Sequence, residues 1–377
     1  MGLLAQPANI NGLRLRNRTV MLPMVTNLST RDGHVTEALV AHYAERARRD
    51  VGLVIVEATA VCADYKNCVR GLGIWDDALI SGLARLAEGI KAGGAAAAIQ
   101  LFHAGAKTYG DEQPPVGASG VRLRAGMRPR PLAPWELADV VRAFAGAARR
   151  AQAAGFDAIE IHAGHFYLLS EFLSPFTNHR DDAYGGDLAG RLRLTLEVVE
   201  AIRREVGPAY PIFLRMHGRE RVEGGLSEEE AVAAARRLAA AGVDCFDVSM
   251  LNTATLVAHE SGPYYALRPY LAKEEPAGAA ADQAAAIRRA TGLPAIAVGK
   301  LGDPEAAERV LAAGKASLIG VARNFLADPA LATKMLAGRG ADIVRCKECF
   351  ACLTSTVVKQ KPIRCAVNKQ VGHYAGA

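Results

Sequence analysis

Three side chains that can bind or transfer a proton lie close together near the middle of the sequence. His162, His165 and Tyr167 follow a short apolar run, Ala158 to Ile161, which predicts a buried parallel strand. A single His beside a strand is usually a satisfied core residue. Two His and a Tyr at one strand end, with Gly164 permitting close backbone approach, instead indicate a ligand site.

A second group of reactive side chains, four of the seven cysteines, lies near the end of the sequence. Cys346, Cys349, Cys352 and Cys365 form the pattern C-x2-C-x2-C-x12-C. Three close thiolates and a more distant fourth suit a 4Fe-4S cluster, which takes one thiolate per iron. A structural zinc ion is the alternative, although zinc sites favour two separated C-x2-C pairs. We predict a cluster-binding segment over residues 341–377 in a reducing compartment.

Short apolar runs alternate with amphipathic stretches over the preceding residues. The runs lie at 20–22, 53–58, 97–103, 158–162, 212–216, 245–250, 295–299 and 318–322. Helices are predicted at 36–50, 77–93, 134–155, 191–205, 227–242, 304–314 and 329–338. Such alternation is typical of an α/β (β/α)8 TIM barrel, here over residues 1–340, with the cysteine segment as a short C-terminal iron-sulfur-binding extension. A doubly wound sheet is the runner-up, but no G-x-G-x-x-G turn follows a strand.

Composition argues against several classes of protein. The 377 residues are half apolar and 22% charged, which is enough to bury a large core. The net charge of +6 is modest and spread along the chain, so we expect no nucleic-acid partner. No apolar run reaches the about 18 residues of a membrane span, and the N-terminus lacks the apolar core of a signal peptide. We therefore expect a cytoplasmic protein without a membrane partner.

The segment from Glu160 to Arg191 resembles the signature of the Old Yellow Enzyme superfamily of FMN-dependent ene-reductases. His162, His165 and Tyr167 match its H-x-x-H/N-x-Y motif, and the following residues match E-F-L-S-P and N-x-R-x-D-x-Y-G-G-x-x-x-x-R. The cysteine spacing is similar to that of the iron-sulfur branch, which includes trimethylamine dehydrogenase and 2,4-dienoyl-CoA reductase. The resemblance covers nearly the whole chain.

The resemblance implies an FMN site at the carboxyl ends of the strands. The residues that it assigns to this site are Pro23, Met24, Val25, Thr26, Ala58, Gln100, Arg215, Gly299, Ala322 and Arg323. The last three would hold the phosphate, whereas Gln100 and Arg215 would contact the pyrimidine and N1/O2 edges of the ring. Val25 stands where the family often has Thr or Cys, and the neighbouring Thr26 is the candidate substitute.

The resemblance also implies the reduction of an activated C=C bond, in an α,β-unsaturated carbonyl or an enoyl-CoA. The flavin N5 would give a hydride to one carbon and Tyr167 a proton to the other, while His162 and His165 hydrogen-bond the activating carbonyl. Electrons would come from NAD(P)H or from a separate flavoprotein or ferredoxin. His259 and Tyr264, after the sixth strand, are expected at the substrate rim.

Several interpretations of the function stay open from the sequence alone. The enzyme alternative is an oxidative flavoenzyme, an amine dehydrogenase or desaturase, that passes electrons out through the cluster. An electron-transfer subunit without its own substrate is the alternative from another class. Arg122, Arg124, Arg128 and Arg130 belong either to a solvated loop or to a seat for an anionic handle such as a CoA phosphate. The sequence does not decide whether the chain is a homo-oligomer, a stand-alone barrel or a fragment of a longer enzyme.

Overall fold

Eight parallel strands close into a barrel in the computed structural model, which describes residues 2–110, 114–251, 253–259, 262–268 and 273–374. The barrel strands are Thr19–Met21 (β1), Leu53–Ala60 (β2), Ala96–Phe102 (β3), Ala158–Ala163 (β4), Ile212–Glu220 (β5), Cys245–Leu251 (β6), Ala295–Ala297 (β7) and Leu318–Val321 (β8). Each pairs with its neighbour in sequence, and β8 pairs with β1 to close the ring. The predicted α/β TIM barrel is therefore confirmed, and each predicted run overlaps a barrel strand.

Helices alternate with these strands. The longer ones are Glu37–Ala47 (α1), Ile80–Lys91 (α2), Pro134–Ala153 (α3), Leu188–Val206 (α4), Glu228–Ala240 (α5), Ala281–Thr291 (α6) and Pro304–Ala312 (α7). Shorter helices span Leu168–Leu173, Arg323–Ala327 and Leu331–Leu336. A capping box formed by Ser227 and Glu230 begins α5. Helix α6 is absent from the helices that the sequence predicts, because alanine fills much of both its buried and its solvent-facing sides and weakens the amphipathic pattern.

A small antiparallel hairpin precedes the barrel. Its strands, Ala8–Ile10 and Leu13–Leu15, are joined by an Asn-Gly dipeptide, which favours a tight two-residue turn. Ile10 and Leu15 are buried with Leu53, the first residue of β2, in a cluster of apolar side chains inside the barrel. The hairpin therefore closes the end of the barrel at which the strands begin, and leaves the carboxyl ends for ligands.

The C-terminal cysteine segment packs onto the barrel. Ile363 and Val371 are buried in the same apolar core as the barrel helices. The Ile363 N–H donates to the carbonyl of Thr26 at 2.8 Å, and the Tyr374 hydroxyl lies 2.8 Å from Nδ1 of His42. These contacts hold the segment beside the carboxyl end of β1. Residues 375–377 of the predicted segment lie outside the described residues, and the division at residue 340 stays a prediction.

The loop after β6 contains a second antiparallel hairpin, Thr253–Val257 with Tyr264–Arg268. The sequence predicts only a rim loop here, because the neighbouring residues show no clear alternation of apolar and polar side chains. Among the described residues, no helix has both the length and the apolar character needed to cross a bilayer.

Candidate active site

A cavity of about 710 Å³ lies at the carboxyl ends of the barrel strands. Its lining includes many of the residues that the sequence predicts for the site: Pro23, Met24, Val25, Ala58, Gln100, His162, His165, Tyr167, Arg215, Tyr264, Gly299, Ala322 and Arg323. Cys346 and Gln360 of the C-terminal segment line it as well. Small-molecule sites have volumes of about 300 to 1,000 Å³, so the cavity is large enough for a cofactor and a substrate.

Two of the predicted residues lie away from this lining. Thr26 is buried, its N–H donates to Glu57 Oε2 at 3.1 Å, and its hydroxyl accepts the N–H of Leu28 at 3.3 Å. Thr26 therefore connects the loop after β1 to β2. Its hydroxyl lies outside the cavity lining, whereas Val25, at the position where the family often has Thr or Cys, lines the cavity. His259 is exposed, with its ring 6.0 Å from that of Tyr264.

The two histidines of the motif form a directed chain of hydrogen bonds. The Gly164 N–H donates to His162 Nδ1 at 3.3 Å, so the proton of a neutral His162 ring resides on Nε2. That Nε2 lies 3.3 Å from His165 Nδ1, and His165 Nε2 lies 2.8 Å from Ser249 Oγ. Each ring thus has one N–H, directed from His162 toward His165 and from His165 toward Ser249.

Burial keeps both rings neutral. Desolvation lowers the pKa of His162 and of His165 well below the ordinary value, and the positive charge of Arg215 lowers both further. At neutral pH these side chains are therefore uncharged hydrogen-bond donors. A donor pair of this kind can polarise a substrate carbonyl oxygen without carrying a permanent charge.

The backbone at His165 is held in an uncommon conformation. His165 and Phe166 have φ of 57° and 49°, in the left-handed region, which costs a residue other than Gly about 1 to 3 kcal/mol. The His165 N–H donates to His217 Nε2 at 2.7 Å, and His217 Nδ1 lies 2.8 Å from Glu220 Oε1. Ser174 Oγ donates to the other carboxylate oxygen of Glu220 at 2.5 Å. This buried set of polar groups fixes the turn that carries the motif.

Tyr167 lines the cavity next to the histidines. Its hydroxyl oxygen accepts a hydrogen bond from Asn67 Nδ2 at 2.8 Å. Burial raises the pKa of Tyr167 to about 12, although the bond from Asn67 opposes this shift. Lys107 Nζ lies 4.2 Å from the centroid of the Tyr167 ring and donates to the carbonyl of His165 at 2.9 Å. Tyr167 is thus protonated at neutral pH and lies beside a cation.

A network of charged groups forms the floor of the cavity. Asp247 Oδ2 lies 3.4 Å from Arg215 Nη1 and gives this cation a negative partner within the chain, and the predicted contact of Arg215 with the flavin ring stays a prediction. The two residues face each other in the register of β5 and β6, which the sequence does not reveal. Gln100 Nε2 donates to Glu160 Oε1 at 2.7 Å. Burial and the nearby Asp247 raise the pKa of Glu160 well above its ordinary value, which favours its protonated form.

The four clustered cysteines differ in accessibility. Cys349 is exposed, Cys352 is buried, and Cys346 and Cys365 are half-buried. The N–H of Glu348 lies 3.4 Å from Cys346 Sγ, and two further N–H groups lie 3.4 Å from Cys365 Sγ. Over the described ranges, no group of three or more His, Cys, Asp or Glu is close enough to hold a metal ion.

Three lining residues are missed by the sequence motifs. Asn67 lies in a long connection after β2, where no pattern distinguishes it, and Ser249 reaches the site from the neighbouring β6. Lys107 directly follows Ala106, which stands where the family usually has Arg. The available signal for Lys107 was a cation one position after the residue that is usually Arg in the family.

Comparison with known proteins gives consistent matches. Residues 3–342 match the NADH:flavin oxidoreductase / NADH oxidase family. A metal reductase of Desulforamulus reducens is 37% identical over 378 residues, covering 100% of this chain and 55% of the relative. An NADPH dehydrogenase of Geobacillus sp. (strain WCH70) is 38% identical over 329 residues, covering 87% of this chain and 92% of the relative. The structure of a 2-naphthoyl-CoA reductase with 2-naphthoyl-CoA has a TM-score of 0.89 at 27% identity, covering 98% of this chain and 57% of that one.

These matches define an oxidoreductase that acts with a flavin. The chain belongs to the NADH:flavin oxidoreductase / NADH oxidase family, and the predicted Old Yellow Enzyme-type oxidoreductase is confirmed. The chain spans little more than half the length of the metal reductase and of the 2-naphthoyl-CoA reductase.

Proposed function

We propose that the chain forms an ene-reductase with FMN and a 4Fe-4S cluster, of the iron-sulfur branch of this family, that reduces an activated C=C bond. The observation that carries the proposal is the meeting of His162, His165 and Tyr167 in one cavity with Gln100 and Arg215. Two neutral donors beside a protonated phenol can bind a carbonyl and supply a proton to the adjacent alkene. A carrier of electrons without its own substrate has no use for this set.

The residues around the cavity fit FMN. Gln100 provides a carboxamide, and Arg215 Nε makes no hydrogen bond within the described residues, so it can donate to a ring oxygen. Ala58 leaves room for a planar ring on the wall. Gly299, with φ of 103°, and the cation of Arg323 lie at the end that we assign to the phosphate. Bound FMN would supply hydride transfer.

The donor chemistry of the cysteine segment fits an iron-sulfur cluster once the four thiolates are drawn together. Backbone N–H groups already lie against Cys346 and Cys365, and such bonds stabilise thiolate sulfur. Glu348 and Phe350 have φ of 55° and 56°, which turn the backbone tightly between the cysteines. The match to the metal reductase covers 100% of this chain, including the cysteine segment. This coverage supports the proposal that the segment has the same role in both proteins. A bound cluster would supply one-electron transfer.

The chain's own groups then divide the work at the substrate. His162 and His165 would donate to the carbonyl oxygen in place of their present acceptors, His165 and Ser249, and stabilise the negative charge that develops there. Tyr167 holds its proton at neutral pH and gives it to the alkene carbon next to the carbonyl. Asn67 donates to the phenolic oxygen and stabilises the phenolate that remains.

The first experiment measures the cofactors directly. An anaerobic absorption spectrum with FMN, iron and sulfide quantified is expected to give one FMN and about four irons per chain. Titration with NADH, NADPH and dithionite then separates direct reduction by a nicotinamide, which the name of the NADPH dehydrogenase supports, from reduction by a separate protein donor. Zinc without flavin would contradict the proposal.

A second experiment tests the proton donor. Tyr167→Phe is expected to slow the reoxidation of reduced FMN by an enone and to leave FMN reduction unchanged. Equal slowing of both half-reactions would remove Tyr167 from this role. Turnover of an amine without turnover of any enone would favour the oxidative alternative.

A further inference from the structure

The cavity carries more positive than negative charge. Its described lining contains one carboxylate, Glu348, and five cations: Lys107, Arg124, Arg215, Lys300 and Arg323. Glu348 pairs with Lys300 at 3.6 Å, and Arg215 pairs with a carboxylate below the lining. Arg323 lies at the end assigned to the FMN phosphate. Lys107, which contacts the Tyr167 ring, therefore lies on the side that the proposed function leaves to the substrate, and Arg124 is the remaining cation of the lining.

Lys107 lies beside the proposed proton donor. Its Nζ is 4.2 Å from the centroid of the Tyr167 ring and donates to the carbonyl of His165 at 2.9 Å. An ammonium group has three N–H donors. In the part of the chain that the structure describes, the other two meet no acceptor, and Lys107 lines the cavity. A ligand in the cavity can therefore complete the hydrogen bonding of this cation.

The buried carboxyl group of Glu171 holds the backbone next to Lys107. Glu171 accepts the N–H of Ala106 at 2.7 Å and that of Ala118 at 3.3 Å. A Cβ atom at Gly105 or Gly117 would overlap its oxygens, so both glycines permit this approach. Burial lowers the pKa of Lys107 to about 8, and the charge of Glu171 opposes the shift, so Lys107 is largely protonated at neutral pH.

We propose that Lys107 selects alkene substrates that carry an anionic group within a few bonds of the reacting carbons. The anion must be close to the alkene because Lys107 lies against the face of the ring that protonates it. A carboxylate on the substrate satisfies this distance. Arg124, which also lines the cavity, is the candidate for a more remote anion, such as a phosphate on a thioester substrate. This inference rests on the proposed function.

The test uses two alkenes that differ by one charge, monomethyl fumarate and the neutral dimethyl fumarate, with the FMN-loaded full chain. Lys107→Met is expected to lower kcat/KM for monomethyl fumarate about 10- to 100-fold, the effect of a charge-assisted hydrogen bond. For dimethyl fumarate the loss should be several times smaller, because it reflects only the lost contacts of Lys107 with His165 and Tyr167. Lys91→Met, at a salt-bridged residue of α2, is the control and should change neither. Lys107→Arg should keep most of the preference.

A binding measurement separates this inference from the proposed function. Monomethyl succinate, the saturated and unreactive analogue, is titrated into the oxidised protein and followed through the flavin absorbance. Weaker binding to Lys107→Met supports the anion site even if neither fumarate is reduced, a result that would reject the ene-reductase alone. Equal losses for both fumarates would overturn the role of Lys107. The role of Lys107 would also be overturned if only crotonyl-CoA showed a preference for the charged substrate and Arg124→Met abolished that preference. The recognised anion would then be the phosphate.

Discussion

The backbone N–H of His165 donates a hydrogen bond to Nε2 of His217 at 2.7 Å. Because an N–H group can only donate, His217 Nε2 carries no proton, and the proton of this ring lies on Nδ1, 2.8 Å from Glu220 Oε1. A buried pair of a His and a carboxylate thus supports the backbone of the site rather than a reacting atom.

Removing the acceptor at His217 should disturb the motif without touching the substrate. His217→Leu leaves the His165 N–H buried and unsatisfied, at a cost of about 1 to 3 kcal/mol. We expect KM for an enone to rise at least about tenfold, the equivalent of 1.4 kcal/mol, while the FMN content is unchanged. His217→Gln keeps an acceptor and a donor and is the matched control. Equal defects in the two variants would contradict this positioning role.

Asn67 should matter only through Tyr167. Asn67→Leu removes the bond that opposes the raised pKa of Tyr167, so the phenol should become a weaker acid. We expect proton transfer in single-turnover reoxidation to slow about fivefold, for a loss of about 1 kcal/mol, with a larger solvent deuterium isotope effect. In a Tyr167→Phe background the same change should have no further effect. An additive defect in the double variant would show that Asn67 acts elsewhere.

Binding of an anionic ligand should depend on pH. Burial lowers the pKa of Lys107 to about 8, so the ammonium is present below that pH and lost above it. The titratable groups around it are Glu171, whose pKa burial raises to about 8, the neutral His162 and His165, and Tyr167 with a pKa of about 12. Monomethyl succinate should therefore bind well at pH 7 and progressively more weakly above pH 8. Lys107→Arg should flatten the profile up to pH 9.5, and an unchanged profile in that variant would assign the titration to another group.

The approach of Glu171 to Gly117 should be visible in stability. A methyl group at residue 117 overlaps Glu171 Oε2, so Gly117→Ala must displace the carboxyl group from the Ala118 N–H. We expect the free energy of unfolding in urea to fall by about 1 to 3 kcal/mol. Gly146→Ala, inside α3 and near only a flexible Arg side chain, should instead stabilise by up to about 1 kcal/mol. A neutral Gly117→Ala would indicate that the carboxyl group is not held there.

The cysteine pattern can be tested by metal content. Cys346→Ser and Cys365→Ser should each reduce iron from about four per chain to nearly none, because a cubane needs a thiolate at each iron. Cys62→Ser, outside the pattern, should keep the iron. The measurement is iron and sulfide analysis after anaerobic purification. Stoichiometric zinc that survives in the chain without iron would assign the segment to a structural zinc site.

The barrel could be predicted because its strands are buried on both faces. Runs such as 53–58 are mostly apolar and rich in β-branched residues, and each alternates with a helix, so the local sequence predicts both the type and the order of the elements. Helix α6 and the hairpin after β6 were not predicted. In the first, alanine fills both buried and solvent-facing positions and weakens the amphipathic pattern, and the second depends on pairing across a loop.

The site could be predicted where its residues lie in one motif. His162, His165 and Tyr167 share a turn, so their spacing alone brings them together. Their supporting groups could not be predicted, since Ser249 and His217 come from neighbouring strands and are brought to His165 only by the closure of the barrel. Pairings across strands depend on register, which no single stretch of sequence encodes.

The contact between Ile363 and Thr26 has a consequence for biosynthesis. The ribosome completes all eight strands before it reaches Cys346 and Gln360, which form part of the cavity wall. Closing the long loop between Thr26 and Ile363 costs only slightly more free energy than closing a shorter one, because the entropic cost grows with the logarithm of the loop length. Until the segment docks, the cavity of the newly made barrel therefore lacks part of its wall. The flavin then has an entry route that docking narrows.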